Sequence, residues 1–299
     1  MQTLFSLFSI YIFIMLGFFA KQVFKEKLDE KTLVLISIYF LQPFLILWGF
    51  LGKTISFEIV KAPLIFLFIV LIVFVFAHIF SKVLFSNRQD RSIFVVTSII
   101  GNTGNLGIPI GLLLFGQESV IYTTFINIVN IFLVYIIGVF FYSMGSYSIK
   151  ESVKNIFKLP AIWFVALAVF LNLNHFEYPK EFDLPLKMGA YATMVIQLFI
   201  FGMYLKGVEF KRIEWKSFWS LSLFKFLFIP FVSIMILKFF TLDRFVYDII
   251  LLELIVPVAV MNVNLASLYE CKPSKVAFLT FATSLLFLGY LVGFVKFVF

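Results

Sequence analysis

Charge is thin on this chain: Asp, Glu, Lys and Arg together make up 13% of its 299 residues. Soluble domains carry about twice that share, so a water-exposed fold is excluded from the outset. Cysteine is nearly absent. Cys271 stands alone, so no intrachain disulfide is possible, the redox compartment is left open, and the residue reads as a small side chain at a helix end. His78 lies among aromatics without a second His, Cys or carboxylate at ligand spacing, which makes it structural and leaves no expected metal site. No Gly-x-Ser-x-Gly, no His-Glu-x-x-His, no Walker or dinucleotide glycine run on a strand and no paired aspartates within an apolar stretch are found. These absences speak against an enzyme and against a cofactor. Met1 and Gln2 supply no basic n-region and no small-x-small cleavage site follows, so the first apolar stretch is expected to remain in the mature protein.

What the chain has in abundance is hydrocarbon: 62% hydrophobic residues, 44 phenylalanines and a mean hydropathy of +1.07. A bilayer core of about 30 Å takes roughly 20 apolar residues per helix. Ten such stretches are predicted, at 3–20, 32–52, 62–81, 92–116, 119–145, 159–174, 188–205, 217–237, 245–269 and 276–296. They consume nearly all of the sequence and leave no room for a soluble catalytic or nucleic-acid-binding domain. The net charge of +8 then reads as membrane topology, with no nucleic-acid partner expected. Loops on one side hold 16 Lys and Arg, including Lys31, Arg91, Lys154, Lys211, Arg212 and Lys275. Loops on the other hold 7, including Lys53, Lys61, Lys187 and Lys296. Since basic loops stay in the cytoplasm, both termini of this multi-pass protein are expected outside it.

The fourth stretch is interrupted by GNTGNLGIPI at 101–110, which cannot be one unbroken helix. Non-helical backbone at membrane depth survives only where protein buries it or where it lines an aqueous cavity. The ninth stretch is interrupted at the corresponding place by Pro257, Asn262 and Asn264. Five spans per half force the second half to enter from the opposite side, so residues 1–149 and 150–299 are predicted as inverted five-helix repeats. Gln42 falls on Gln197 at an offset of about 155, and Gly49 and Lys53 fall near Gly202 and Lys206. Two interrupted helices in matching positions of inverted halves point to the substrate site of a secondary transporter.

The run NTGNLGIPI resembles the crossover motif of the auxin efflux carrier family, which includes plant PIN-type carriers and bacterial malate or malonate permeases. KFLFIP at 225–230 resembles that family's basic-residue-then-proline pattern in span 8, and Pro257 followed by Leu265, Ala266 and Tyr269 resembles its ninth span. The resemblance implies an all-α polytopic membrane protein of ten helices, with broken helices 4 and 9 crossing near the membrane centre. It also implies anionic carboxylate cargo: a dicarboxylate such as malate or malonate, or an auxin-like carboxylate. Two departures stand out. The long central hydrophilic loop of the plant carriers is missing, which argues for a bacterial-type member, and Asn262 stands where their ninth span has a second proline.

Physically, Ser92–Ile100 and Ile108–Gly116 are expected as two half-helices of about 13 Å each. The second would begin at the centre with Pro109 near N1, turning free amides and a positive dipole end toward a cavity. Asn102, Thr103, Asn105, Asn262 and Asn264 offer amide and hydroxyl partners, while Gly101, Gly104 and Gly107 allow close backbone approach. Satisfying the unwound backbone is the plainer role for any one of them. Asn127 and Asn130 on span 5, with Gln42 and Gln197, are further cavity-lining candidates, interhelical glue being the alternative.

Lys225 and Glu253 each lie nine residues past a loop charge, about 13 Å deep. Charge at that depth must face protein or water. One reading makes Lys225 a cargo or coupling-site cation and Glu253 a protonatable partner for H+ or Na+ coupling; the other is a static ion pair between them. The rival functions are an anion channel lined by the same broken helices and a non-transporting membrane sensor. A homodimer in the bilayer is compatible with the sequence.

Overall fold

The computed structural model describes residues 2–51, 57–116, 118–174, 176, 178–208 and 214–298. Lys53, Lys211 and Arg212 of the loop comparison lie outside the described residues, as does Phe299. Among the described residues the chain is helical throughout, and its one β-type pairing is an isolated antiparallel bridge between Gly101 and Val258. Hydrocarbon leaves little choice here, because only a helix satisfies each amide and carbonyl within its own segment.

Among the described residues, six helices are long and apolar enough to cross a membrane: Glu30–Trp48, Ile59–Leu84, Ser119–Ser146, Lys180–Lys206, Trp215–Leu237 and Pro273–Gly293. Ile149–Lys158 and Pro160–Leu173 make a further bent pair, turned by 56° at the Leu159–Pro160 step. The stretches predicted as spans 4 and 9 do not pass as single helices because each is split, into Arg88–Ile99 with Ile108–Phe115 and into Arg244–Ile255 with Met261–Leu268. Among the described residues, length and composition are those of a polytopic helical membrane protein.

The helices sort into two bundles. In one, Gln2–Phe24 runs along Asp183–Lys206, which packs on Gln42–Phe50, which in turn meets Pro160–Leu173. Gly17 and Gly202 make the first of these contacts possible: a Cβ at either would collide with the partner helix's backbone, at Phe199 and Ile14 respectively. Close approach through small residues is how helices associate where lipid removes the hydrophobic drive. The other bundle gathers the split segments together with Phe57–Leu84, Ser119–Leu133, Val139–Ser146, Ile229–Leu237 and Pro273–Val298.

Four spans contain a widened π turn, at Ser37–Leu41, Thr103–Gly107, Val134–Gly138 and Phe224–Phe228. Three of these lie just ahead of a proline at the start of the following helix, Pro43, Pro109 and Pro230. A proline ring clashes with the carbonyl four residues back and offers no amide, and an extra residue in the turn relieves both problems without breaking the span.

Candidate substrate site at the crossing of the broken helices

The two breaks meet and repair each other. The amide of Asn102 donates to the carbonyl of Pro257 at 2.8 Å, and that of Ala259 donates to the carbonyl of Ile100 at 3.1 Å, closing the Gly101–Val258 bridge. Side chains complete the repair. Asn262 Nδ2 donates to Ile100 O (3.3 Å) and Ala259 O (3.0 Å), while its Oδ1 accepts from the Tyr142 hydroxyl. Asn130 Nδ2 donates to Gly101 O (2.9 Å) and to Thr103 Oγ1 (3.0 Å), and Thr103 Oγ1 donates to Asn127 Oδ1 (2.8 Å). Unwound backbone in a membrane interior is thereby braced by neighbouring protein, as its depth demands.

The start of the second half-helix differs from the expectation that it begins at Ile108. The π turn carries the helix back to Thr103, and its first bonds run from Leu106 and Gly107 amides to the Asn102 carbonyl. Pro109 therefore lies inside a continuous helical segment, Thr103–Phe115. The amides that precede the first intrahelical bond are those of Thr103, Gly104 and Asn105, so the positive dipole end sits one turn deeper than the proline suggests.

Beside that end lies a cavity of about 390 Å³ between the two bundles. Asn102, Gly104, Asn105, Asn127 and Asn130 line it from the crossing bundle, and Gln42 and Gln197 from the opposite one. No lining side chain is charged. The two glutamines hydrogen-bond to each other at 2.7 Å across 155 residues of sequence. The Asn105 side chain makes no hydrogen bond to a described residue, and it also borders a neighbouring space of about 330 Å³ lined by Pro109 and Tyr191. Two buried polar atoms at the cavity lining are without a partner among the described residues, Asn130 Oδ1 and the Tyr135 hydroxyl. Tyr135 was not legible as a site residue from composition. The signal for it is the stripe Thr124, Asn127, Ile131, Tyr135 along one helix face, carried past Val134 by the π turn.

The remaining candidates lie away from this cavity. Pro257 and Asn262 are spent on bracing the breaks, and Asn264 is fully buried, its Oδ1 unpartnered. Gly107 faces Glu253, whose carboxylate occupies the space a Cβ would need. Glu253 is 1% exposed and neither of its carboxylate oxygens has a partner among the described residues, in a cavity of only about 10 Å³ shared with Ser98 and Gly101. Lys225 is equally buried, its Nζ reaching Ser98 O at 3.4 Å. Lys225 and Glu253 form no ion pair, so the static-pair alternative does not describe this conformation. Both charges instead adjoin Ser98, on the first half-helix just before its break.

The cavity extends toward Trp48 and Val120. At the other end of the helix that carries Trp48, the bundles are held together: Lys31 pairs with Glu270 at 2.6 Å and Tyr204 shares a hydrogen bond with Ser267. Hydrogen bonding from Lys31 holds the Glu270 carboxyl below its ordinary value. Nearby, Lys272 and Lys275 reach Asp90 at 2.7 and 2.8 Å. Burial pushes the Asp90 carboxyl up, but the two ammonium groups outweigh it and hold it below the usual carboxylate range.

This chain is 26% identical over 204 residues to an uncharacterized transporter of Methanocaldococcus jannaschii, the match covering 65% of this chain and 66%, just under two thirds, of that protein. The family described as membrane transport protein matches residues 3–295, nearly the whole chain, with the crossing helices and the cavity inside the match. Matched over nearly its whole length, the chain belongs to the membrane transport protein family, the family of the auxin efflux carriers.

Proposed function

We propose that the chain is a secondary active transporter of a small organic anion, a dicarboxylate such as malate or malonate or an auxin-like carboxylate, working by alternating access across a bacterial cytoplasmic membrane. The observation that carries this reading is the position of the 390 Å³ cavity at the free-amide end of Thr103–Phe115, between two separately packed bundles. Three backbone amides, the unengaged Asn105 amide and the Tyr135 hydroxyl offer donors to a carboxylate, and the half-helix dipole favours negative charge there. The volume suits a ligand of a few to a dozen heavy atoms.

The reading keeps ten spans in two inverted repeats, residues 1–149 and 150–299. The mutual bonding of Gln42 and Gln197, and of the two breaks at Gly101 and Val258, is what a pseudo-two-fold axis through the membrane centre would produce. On the expected orientation the cavity faces away from the cytoplasm, and Lys31–Glu270 and Tyr204–Ser267 are the contacts that must part for cargo to leave on the other side. Glu253 is the proposed carrier of the coupling proton, because an unpartnered carboxyl behind Gly107 can gain or lose a proton against the crossover itself.

The test is uptake into vesicles containing the purified protein. Saturable uptake of labelled malate, malonate or indole-type carboxylate, accelerated by the same compound on the trans side, is expected. Unitary currents without trans-acceleration would assign a channel, and thermal stabilisation by neutral analogues alone would overturn the anion.

A further inference from the structure

We propose that the helix Ile149–Lys158 is a docking surface for the anionic headgroups of phospholipids in the leaflet beside the basic loops. The helix connects Val139–Ser146 of the crossing bundle to the Pro160–Leu173 helix of the other bundle. Its start is fixed by a capping box in which Ser148 and Glu151 satisfy each other's backbone, so Glu151 is engaged within the chain. At 100° per residue the sequence IKESVKNIFK then presents three different faces. Ser152 and Asn155 are buried toward the protein, where Asn155 Nδ2 donates to Ser143 Oγ at 2.7 Å. Ile149, Val153 and Phe157 form an uncovered apolar row, 63%, 43% and 57% exposed. Lys150, Lys154 and Lys158 form a third row one residue further round, all exposed and about 6 Å apart along the axis, Lys158 Nζ also donating to Asn155 Oδ1 at 3.0 Å.

An apolar row in water would be a liability, whereas at a bilayer surface it enters the acyl boundary and the adjacent row of lysines comes to the level of the phosphates. Trp163 marks that level independently. Its indole, 61% exposed, donates to the Phe157 carbonyl at 2.9 Å and lies against the Phe157 ring, joining the end of the helix to the span below it. Indoles concentrate where hydrocarbon meets headgroups. The 56° bend at Leu159–Pro160 lets the helix turn out of the direction of the span. Three cations against one internally bonded carboxylate make the face selective for anionic over zwitterionic lipid, with about fivefold local enrichment per engaged lysine. Because the helix joins the two bundles, the lipid would hold their linkage in the membrane plane while one moves against the other. The proposal stands whatever the cargo is.

The experiment uses the full chain with Trp48, Trp215 and Trp219 replaced by Phe, leaving Trp163 as the one fluorophore, in nanodiscs containing brominated phosphatidylglycerol or brominated phosphatidylcholine at equal mole fraction. Stronger quenching by the phosphatidylglycerol is expected, with the difference shrinking as salt is raised. The triple variant K150Q/K154Q/K158Q should lose the difference while keeping the phosphatidylcholine quenching, which reports that the helix still lies on the bilayer. The arginine triple should retain it. Equal quenching by the two lipids in the parent, a preference surviving in the glutamine triple, or its loss in the arginine triple would each overturn the proposal.

Discussion

Asn105 and Asn262 are the same residue type at the same crossing, yet their surroundings give them opposite tasks. Asn262 is fully buried and holds two carbonyls and a tyrosine hydroxyl, so Asn262→Ala should destabilise the protein by about 1–3 kcal/mol, the range for stranding buried polar groups. Asn105 touches the cavity and holds nothing, so Asn105→Ala should leave the melting temperature unchanged and reduce cargo affinity at least tenfold. Melting curves in detergent and uptake kinetics separate the two; a stability loss in the Asn105 variant would make it architecture. A similar contrast applies to the buried charges. An ion pair loses stability when either partner goes, but Lys225 and Glu253 are not paired, and an unpaired buried charge costs free energy to keep. Lys225→Met should therefore melt no lower than the parent. If it nevertheless loses transport, and the double variant with Glu253→Gln does not regain it, the lysine serves the transport cycle. Glu253→Gln alone should flatten the pH dependence of uptake. Normal transport by the double variant would return both charges to architecture.

The elements that were legible in the sequence are those whose cause is local. GNTGNLGIPI forbids a continuous helix, and Pro257 does so in the ninth stretch, and both breaks are present. Three of the four π turns follow from Pro43, Pro109 and Pro230, but their effect on register is a matter of tertiary support. For that reason the free amides fall at Thr103–Asn105, one turn before the proline. Separation of Lys225 from Glu253 was not legible either, since depth along a helix says nothing of which neighbour a side chain faces. The contacts proposed to close the cavity's far side lie at helix ends and rest on pairs distant in sequence, Lys31 with Glu270 and Tyr204 with Ser267. Lys31→Gln with Tyr204→Phe should weaken that closure. In a background with Cys271→Ser and a reporter Gln42→Cys, a membrane-impermeant thiol reagent should label the parent from the cavity side, and the closure variant should lose labelling there and gain it from the other side. Unchanged labelling would remove these contacts from the gate. Within the crossing bundle, Asp90 with Lys272 and Lys275 should contribute stability above about pH 3.8 that is lost as pH falls through its lowered value. Asp90→Asn should flatten the acid limb of a melting-temperature profile.

At the scale of the whole molecule, the division into two bundles explains why a site can exist without a charged side chain. Each break alone would leave carbonyls and amides stranded in hydrocarbon, and only their mutual bonding, Asn102 to Pro257 and Ala259 to Ile100, makes the crossing tolerable. The cavity then opens where the crossing bundle meets Gln42 and Gln197 of its neighbour. Which way it opens depends on the orientation of the chain, for which the loops supply an independent physical argument: 16 basic residues on one side against 7 on the other. In the ten-span reading the Lys31–Glu270 contact and the lysines of Ile149–Lys158 fall on the basic side, while Trp48 and Val120, which line the cavity, fall on the other. Reporter fusions decide the matter. A fusion after Phe299 should be active only outside the cytoplasm, and one within residues 206–216 only inside it. That pattern would make the described conformation outward-open, with cargo entering past Trp48. The reverse pattern would make the same cavity face the cytoplasm, turn Lys31–Glu270 into an outer gate, and move the interfacial lysines to the outer leaflet, against the electrostatic rule that retains basic loops inside.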